Sequence, residues 1–232
     1  MLSLRRCFHT GIDSSSGSKW TEKILFSPEK IASLQEKSFQ SKLQKDMKHY
    51  SVLIPFVSPN GSDKEIHLLY TKRSPFLRSH PREICFPGGK VEDGETTEGA
   101  ALRETLEELA IPEDSVNIIT ALQGIPSRKG QGLVTPILAL LSDLSMLHPN
   151  AEEVERVFTV PVSELLDTST SGYTQFRVSS TSGYSLPVFR TNSQDRVWGM
   201  TAIMTHQALS KVFHGEENTY QNRVRYLNPV QE

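Results

Sequence analysis

The side chains in this sequence best suited to chemistry are three glutamates spaced along one turn of a predicted helix. Glu104, Glu107 and Glu108 stand at positions i, i+3 and i+4, which share one face of a helix with 3.6 residues per turn. Like charges repel at this spacing, and a solvated acidic face is the ordinary explanation of such a cluster. A bound Mg²⁺ or Mn²⁺ would remove the repulsion, because these ions take oxygen ligands and share them with substrate phosphate. The pattern therefore favours a divalent-metal site.

Neighbouring residues could orient the glutamates and admit a phosphorylated ligand. Arg103 directly precedes Glu104, so its guanidinium can hold a glutamate by two hydrogen bonds. Glu95 lies ahead of the helix and could cap it, brace Arg103 or face solvent. Gly88 and Gly89 tolerate unusual dihedral angles and close backbone approach. They would suit either a packed loop or contact with a diphosphate.

The same residues belong to a longer pattern over residues 89–111: glycine, five residues, glutamate, seven residues, Arg-Glu, two residues and Glu-Glu. This pattern resembles the Nudix box, and six such agreements at set spacing arise by chance in about one of ten million windows. Thr105 stands where the family has an apolar residue, and Ala110 replaces the glycine that usually ends the helix. An alanine in the left-handed conformation costs roughly 1–2 kcal/mol. Neither departure removes a carboxylate.

Resemblance to the Nudix hydrolases implies that water attacks a diphosphate and releases two monophosphates. It implies that Glu104, Glu107 and Glu108 bind Mg²⁺ or Mn²⁺, with Arg103 in the same catalytic set. Glu104 is also the first candidate for the general base. Since the base varies within the family, three downstream glutamates are further candidates for a metal ligand or the base: Glu152, Glu153 and Glu155. For each of them, a position on the surface without a catalytic role is the ordinary expectation.

Flanking segments narrow the resemblance to the coenzyme A diphosphatase subgroup, and within it to a mitochondrial member. The similar segments are residues 68–89, 172–174, 186–189 and 196–202. A glycine that the subgroup has upstream of the box is absent here, and Arg82 lies near that position. The resemblance implies hydrolysis of coenzyme A or acyl-CoA to 3′-phosphoadenosine 5′-phosphate and phosphopantetheine or its acylated form.

A basic loop ahead of the box offers cations for the additional 3′-phosphate of coenzyme A. Arginine matches phosphate with paired hydrogen bonds, and the alternative is an exposed loop that only aids solubility. The predicted substrate-binding residues are Lys72, Arg73, Arg78, Gly88 and Gly89. Further basic residues that could adjoin them are Arg82, His80, Arg128 and Lys129. Cys85 is expected to be a packed strand residue, since water attack on phosphorus needs no thiol.

Hydrophobic periodicity places these residues on an α/β scaffold. Strands are predicted over residues 52–57, 65–71, 84–86, 116–122, 133–141 and 154–160. Helices are predicted from Ser27 as N-cap, from a cap at Thr96 or Thr97 to about Leu109, and over about 198–212. A further apolar stripe is formed by Phe39, Leu43 and Met47. Residues 86–89 are expected to be a loop, and residues 173–189 only short strands and turns. The arrangement predicts a Nudix fold, a mixed β-sheet sandwiched between helices (α/β/α).

The chain length of 232 residues suits one catalytic domain with extensions. We place a helical extension at 23–48, the domain at 49–215 and a tail at 216–232. Residues 1–22 have Arg5 and Arg6 but no acid before Asp13, and serines follow. This composition resembles a mitochondrial presequence, with a disordered tail as the alternative. A matrix location is therefore expected, with the cytoplasm as runner-up.

Composition excludes several other classes of protein and of binding partner. Two cysteines exclude a disulfide-stapled scaffold and a four-cysteine zinc site within one chain. No apolar run approaches the roughly 18 residues of a membrane span, and a net charge of -2 argues against a nucleic-acid partner. A small-molecule substrate is expected, and the oligomeric state stays open. The alternatives are a Nudix hydrolase for ADP-ribose, a dinucleotide cofactor or capped RNA, a catalytically idle nucleotide-binding domain, and RNA binding through basic loops.

Overall fold

A computed structural model describes residues 20–36, 47–61, 63–127, 132–177, 183–192, 195–213 and 226–227. Several predictions fall outside these ranges. They are the leader up to residue 19, the stripe positions Phe39 and Leu43, the basic pair Arg128 and Lys129, and nearly all of the tail.

Eight of the described strands form one mixed sheet. Its central path runs β3, β2, β1, β7, β5, while β4 pairs with β1, β6 with β7 and β8 with β2. The strands are β1 Lys48–Val57, β2 His67–Arg73, β3 Ile84–Cys85, β4 Gly88–Lys90, β5 Val116–Ala121, β6 Ile125–Pro126, β7 Gly132–Leu141 and β8 Val154–Pro161. β1 and β7 run parallel over their full length, and the other pairs are antiparallel.

The helices are α1 Glu22–Leu25, α2 Pro28–Glu36, α3 Thr97–Leu109, α4 Val162–Leu166 and α5 Gly199–Val212. A second small sheet contains β9 Ser171–Arg177, β10 Gly183–Arg190, β11 Arg196–Val197 and β12 Tyr226–Leu227. None of the helices in the described ranges is long and apolar enough to cross a membrane.

Both faces of the large sheet are buried, because β1 alternates its side chains between two apolar clusters. Leu53 and Val57 join the cluster that contains Ala101 and Leu109 of α3. Ile54 and Phe56 join the cluster that holds the apolar face of α5. Strands covered on both faces read as nearly continuous apolar runs, which is how β7 looks in the sequence. The predicted α/β/α arrangement is confirmed.

The segment before β1 is packed into this core. The Trp20 ring meets Phe213 edge-on at 4.8 Å, and Phe26 meets Phe56 at 5.1 Å. The backbone N–H of Ile66 donates to the Trp20 carbonyl at 2.8 Å. The helix predicted from Ser27 is present as α2. The expected end of the leader at residue 22 therefore lies inside a packed segment.

Two local predictions are wrong. Gly88 and Gly89, expected to lie in a loop, belong to the strand β4, which is in register with residues 50–52 of β1. Residues 173–189 lie mostly in the long strands β9 and β10, which pair from Ser171↔Phe189 to Arg177↔Gly183. The sequence signal is weak in both places, because β4 is two-thirds glycine and the two aromatic residues of β9, Tyr173 and Phe176, do not follow the alternation of a strand.

Candidate active site

The helix α3 begins and ends as its sequence predicts. It accommodates both departures from the family pattern, Thr105 and Ala110. The Thr96 side chain caps it by accepting from the Gly99 N–H at 3.0 Å. Thr105 is fully buried, and its hydroxyl donates to the Ala101 carbonyl at 2.7 Å. Ala110 takes the left-handed conformation, with φ 56° and ψ 26°, that glycine usually provides.

Two of the carboxylates of α3 face a cavity of about 1050 Å³. Glu104 and Glu108 enter it from α3, Gly88 and Gly89 from β4, and Glu153 from the residue before β8. Apolar side chains form other parts of its wall: Tyr50, Val52, Ile84, Phe86, Val134, Met200 and Met204. This volume exceeds what a diphosphate alone would fill and suits a larger organic ligand.

Glu104 lies against the backbone of β4. Its side chain is 17% exposed and accepts a hydrogen bond from Arg103 Nη1 at 2.9 Å. A Cβ placed on Gly89 would overlap the Glu104 carboxylate, so a glycine is required for this close approach. Burial raises the pKa of Glu104, and Arg103 opposes the rise.

Glu108 is the most deeply buried acid of the site, at 3% exposure. Within the described part of the chain, its Oε2 has no hydrogen-bond partner. Burial raises the pKa of Glu108 to about 8; Arg73 opposes the rise, and the charges of Glu153 and Glu104 add to it. Arg73 and the backbone N–H of Gly88 offset only part of the cost of burying this carboxylate. The oxygen donors gathered here therefore fit a divalent cation.

Glu107 lies on the flank of this group. Its side chain is 54% exposed and contacts Arg103 Nη1 at 3.4 Å, and Glu107 does not line the cavity. The other acids on the cavity wall are Glu153 and Glu83. No group of three acidic, histidine or cysteine side chains among the described residues is already set to hold a metal ion.

Arg103 connects α3 to the strand that faces it. Its Nε and Nη2 donate to the two Glu95 carboxylate oxygens at 2.9 and 3.2 Å, and Nη2 also donates to the Lys90 carbonyl at 3.0 Å. Arg103 in turn lowers the pKa of Glu95. Of the three roles considered for Glu95, bracing Arg103 is the one the structure shows.

The basic loop divides into residues inside and outside the cavity. Arg73 and His80 line it, whereas Lys72 pairs with Glu155 at 3.0 Å and does not. Arg78 and Arg82 are exposed and are not part of its wall. Arg82 has φ 62°, so it adopts a glycine-like conformation near the position where the subgroup carries glycine.

Cys85 also contributes to the cavity wall, between β2 and the glycines. Its thiol contacts the Thr71 hydroxyl at 3.1 Å, and burial raises its pKa. A raised pKa leaves the thiol protonated at neutral pH, which suits a packing residue rather than a nucleophile.

Several residues of the cavity wall were not among the predicted site residues, and they include Lys48, Lys90, Met200 and Met204. Lys90 follows the glycine pair directly, so its place beside the site had a sequence signal. Lys48 and the two methionines lie far from the box in the chain, and only strand pairing and the docking of α5 bring them to it. Thr201 fixes that docking, because its hydroxyl donates to the Ile84 carbonyl at 2.9 Å.

Comparison with known proteins gives an independent result. Residues 47–177 match the NUDIX domain family. Nudix hydrolase 3 of Caenorhabditis elegans is 42% identical over 177 residues, covering 69% of this chain and 71% of that protein. Two further relatives are named mitochondrial coenzyme A diphosphatase NUDT8. The Homo sapiens protein is 39% identical, covering 76% of this chain and 73% of that protein. The Mus musculus protein is 38% identical, covering 71% of this chain and 78% of that protein.

Proposed function

This chain belongs to the NUDIX family and is a hydrolase, and we propose that it cleaves the diphosphate of coenzyme A or acyl-CoA. The products would be 3′-phosphoadenosine 5′-phosphate and phosphopantetheine or its acylated form. The names of the mammalian relatives support this substrate. The observation that carries the reaction type is the buried pair Glu104 and Glu108 at the wall of a cavity large enough for a nucleotide conjugate.

The proposed cofactor is Mg²⁺ or Mn²⁺, with Glu104, Glu107 and Glu108 as its ligands. When bound, such an ion would neutralise diphosphate charge and make water easier to deprotonate. The unpartnered oxygen of Glu108 and the mutual repulsion of the acids support a cation at this place. Glu107 would join from the flank, where it contacts Arg103.

The protein groups themselves would position the substrate and move one proton. Glu104 is the first proposed base, because a raised pKa makes it a better proton acceptor near neutral pH than an ordinary glutamate. Glu153 is the second, since it is the one downstream glutamate of the three that reaches the cavity. Arg103 would hold Glu104 in place through the hydrogen bond between them.

Substrate contacts are proposed at Arg73, Gly88 and Gly89, which line the cavity. The glycines would let a diphosphate approach the β4 backbone, and Arg73 would offer a guanidinium beside the acids. Lys72 and Arg78 remain predictions with less support, because Lys72 is engaged with Glu155 and Arg78 lies outside the cavity wall.

A mitochondrial matrix location is proposed as well, with the cytoplasm as the alternative. The basic, acid-poor composition of residues 1–22 supports it, as do the names of the mammalian relatives. Fractionation of cells expressing a C-terminally tagged chain, followed by protease protection of the organelle fraction, would test it. A tag found only in the cytosol would contradict it.

A substrate panel tests the proposed function. Purified protein is incubated with Mg²⁺ or Mn²⁺ and, separately, coenzyme A, a short and a long acyl-CoA, ADP-ribose, NADH and a capped oligonucleotide, and the products are identified by mass. We expect the highest kcat/KM with coenzyme A or an acyl-CoA and no turnover in EDTA. Much faster cleavage of another compound would reject the substrate.

Variants of α3 test the residue assignments in the same assay. Glu108→Gln and Glu104→Gln should each lower kcat at least about 10²-fold while the circular dichroism spectrum stays that of the wild type. Glu107→Gln should raise the Mg²⁺ concentration needed for half-maximal activity. Full activity of both Glu107→Gln and Glu108→Gln would overturn the metal assignment and would favour a different site for the chemistry.

A further inference from the structure

The cavity wall contains two cations that the catalytic role does not use. Besides Arg73 and His80, the basic side chains on it are Lys48 and Lys90. Arg73 lies near Glu108, where it opposes the rise in the pKa of that acid, and it is already proposed as a substrate contact beside the acids. From the placement of the two lysines we propose that Lys48 and Lys90 bind the 3′-phosphate of the nucleotide. This inference rests on the proposed function, because only a substrate with a phosphate besides its diphosphate needs such a site.

Strand register places the two lysines side by side on one face of the sheet. β4 runs antiparallel to β1 with Lys90 opposite Tyr50, and directly opposed residues share a face. Lys48 lies two residues before Tyr50, and side chains alternate along a strand. Lys48, Tyr50 and Lys90 therefore project from the same face, and all three line the cavity.

The space beside these lysines is kept open by a glycine. Gly132 pairs with Lys48 across the parallel strands β1 and β7. A Cβ on Gly132 would lie 3.0 Å from the Tyr50 ring and 3.1 Å from the Lys48 carbonyl, which is tighter than ordinary contact. A larger residue here would crowd the floor between Tyr50 and the lysines.

Both lysines are available to an anion. Lys90 meets Glu92 at 3.4 Å, but both side chains are more than half exposed, and exposed pairs of this kind contribute little. Lys48 takes part in no ion pair among the residues that the structure describes. A phosphate monoester carries close to two negative charges at neutral pH, so two ammonium groups match it as point charges.

The lysine pair is distinct from the reaction centre but belongs to the same cavity. Lys90 follows Gly89, against which Glu104 packs. Lys48 lies four residues along β1 from Val52, a distance of roughly 13 Å. Because side chains alternate along β4, the Lys90 side chain and the Glu104 carboxylate against Gly89 lie on opposite faces of that strand. A phosphate held by the lysines would therefore lie apart from the acids, as a second phosphate on the same substrate would.

Coenzyme A and dephospho-coenzyme A test this site, because they differ only in the 3′-phosphate. We would measure kcat and KM for both compounds with Mg²⁺ in the wild type and in the Lys48→Ala/Lys90→Ala double variant. The wild type should prefer coenzyme A, and the double variant should lose that preference by about tenfold or more, mainly through KM for coenzyme A. Alanine at position 90 keeps the backbone carbonyl that Arg103 binds.

Two further variants complete the experiment. Lys64→Ala removes an exposed lysine that is not part of the cavity wall and should keep the wild-type preference. Arg78→Ala tests the alternative clamp expected from sequence, because loss of the preference in this variant would place the 3′-phosphate at Arg78 instead of at the lysines. Retained preference in the double variant, its loss in Arg78→Ala, or equal rates of the wild type on both compounds would overturn the lysine site. Failure of the wild type to cleave either compound would instead reject the proposed function.

Discussion

At the scale of single residues, the burial of the Glu108 carboxylate requires a physical explanation. A carboxylate that is 3% exposed, with one oxygen unpartnered among the described groups, can persist either by holding a proton or by meeting a cation. Burial raises its pKa to about 8, so the metal-free protein should hold the proton at neutral pH. A divalent ion would displace that proton on binding.

This leads to a prediction about metal-free stability. Between the ordinary glutamate pKa of 4.5 and about 8, the folded protein keeps a proton on Glu108 that the unfolded chain releases. The contribution of Glu108 to the free energy of unfolding is therefore greatest below pH 4.5. It falls as pH rises toward 8, by up to about 1.4 kcal/mol per pH unit. Urea unfolding in EDTA across this range measures it.

Glu108→Gln is the reference for that measurement, because it removes the titrating group and leaves the other carboxyls. The wild-type stability minus that of the variant should decline with rising pH in EDTA, and added Mg²⁺ should reduce the decline. A difference independent of pH would show that Glu108 is not protonated in the folded protein.

At the scale of elements, the contact between α3 and β4 sets the geometry of the site. The two glycines of β4 serve this contact in different ways. Gly88 has φ 150°, and a Cβ there would overlap the Ser51 carbonyl and lie 2.5 Å from the Val52 Cα. Gly89 would meet only the end of the Glu104 side chain. The first clash is with rigid backbone, and the second is with a group that can rotate away.

Alanine at these two positions should therefore have different effects. Gly88→Ala should lower the free energy of unfolding by about 2–4 kcal/mol, because backbone must move. Gly89→Ala should cost less stability but lower kcat by about 10²-fold, because it displaces Glu104. Chemical denaturation and steady-state kinetics of both variants separate the effects. Equal stability of the two variants would contradict the distinction.

The end of α3 gives a prediction of the opposite sign. Ala110 pays for a left-handed conformation with φ 56°, so Ala110→Gly should raise the free energy of unfolding by about 0.5–1 kcal/mol and Tm by about 2 °C. Ala101→Gly, in the buried middle of the same helix, is the matched control and should lower Tm. Thermal unfolding of the two variants tests this prediction, and a Tm below that of the wild type for Ala110→Gly would contradict it.

At the scale of the whole molecule, the segment before the sheet acts as part of the domain. Trp20 and Phe26 contribute to the same apolar cluster as α5. Trp20→Ala should lower the free energy of unfolding by about 3 kcal/mol, whereas Ile24→Ala, at a side chain 55% exposed, should change it by less than about 0.5 kcal/mol. Urea titration of both variants is the measurement, and equal small effects would show that the segment is dispensable.

The sequence predicted the central sheet and α3 well, because long apolar runs and a capped helix are local signals. It could not separate Glu107 from Glu108, because Thr105 interrupts the apolar stripe that would have marked the buried face of α3. Glu108 lies seven residues after the buried Ala101 and so faces inward, whereas Glu107 does not. Lys48 lies at the site because β1 pairs with β4 and β7, and no local sequence pattern predicts that pairing.

Hydrolysis of coenzyme A in ¹⁸O-labelled water, with Mg²⁺ present, tests the central claim most directly. The predicted result is two monophosphates, 3′-phosphoadenosine 5′-phosphate and phosphopantetheine, with a single ¹⁸O atom on the phosphate of one of them. Glu108→Gln should form both products at least about 10²-fold more slowly. Intact coenzyme A, or products cleaved at any bond other than the diphosphate, would contradict the account.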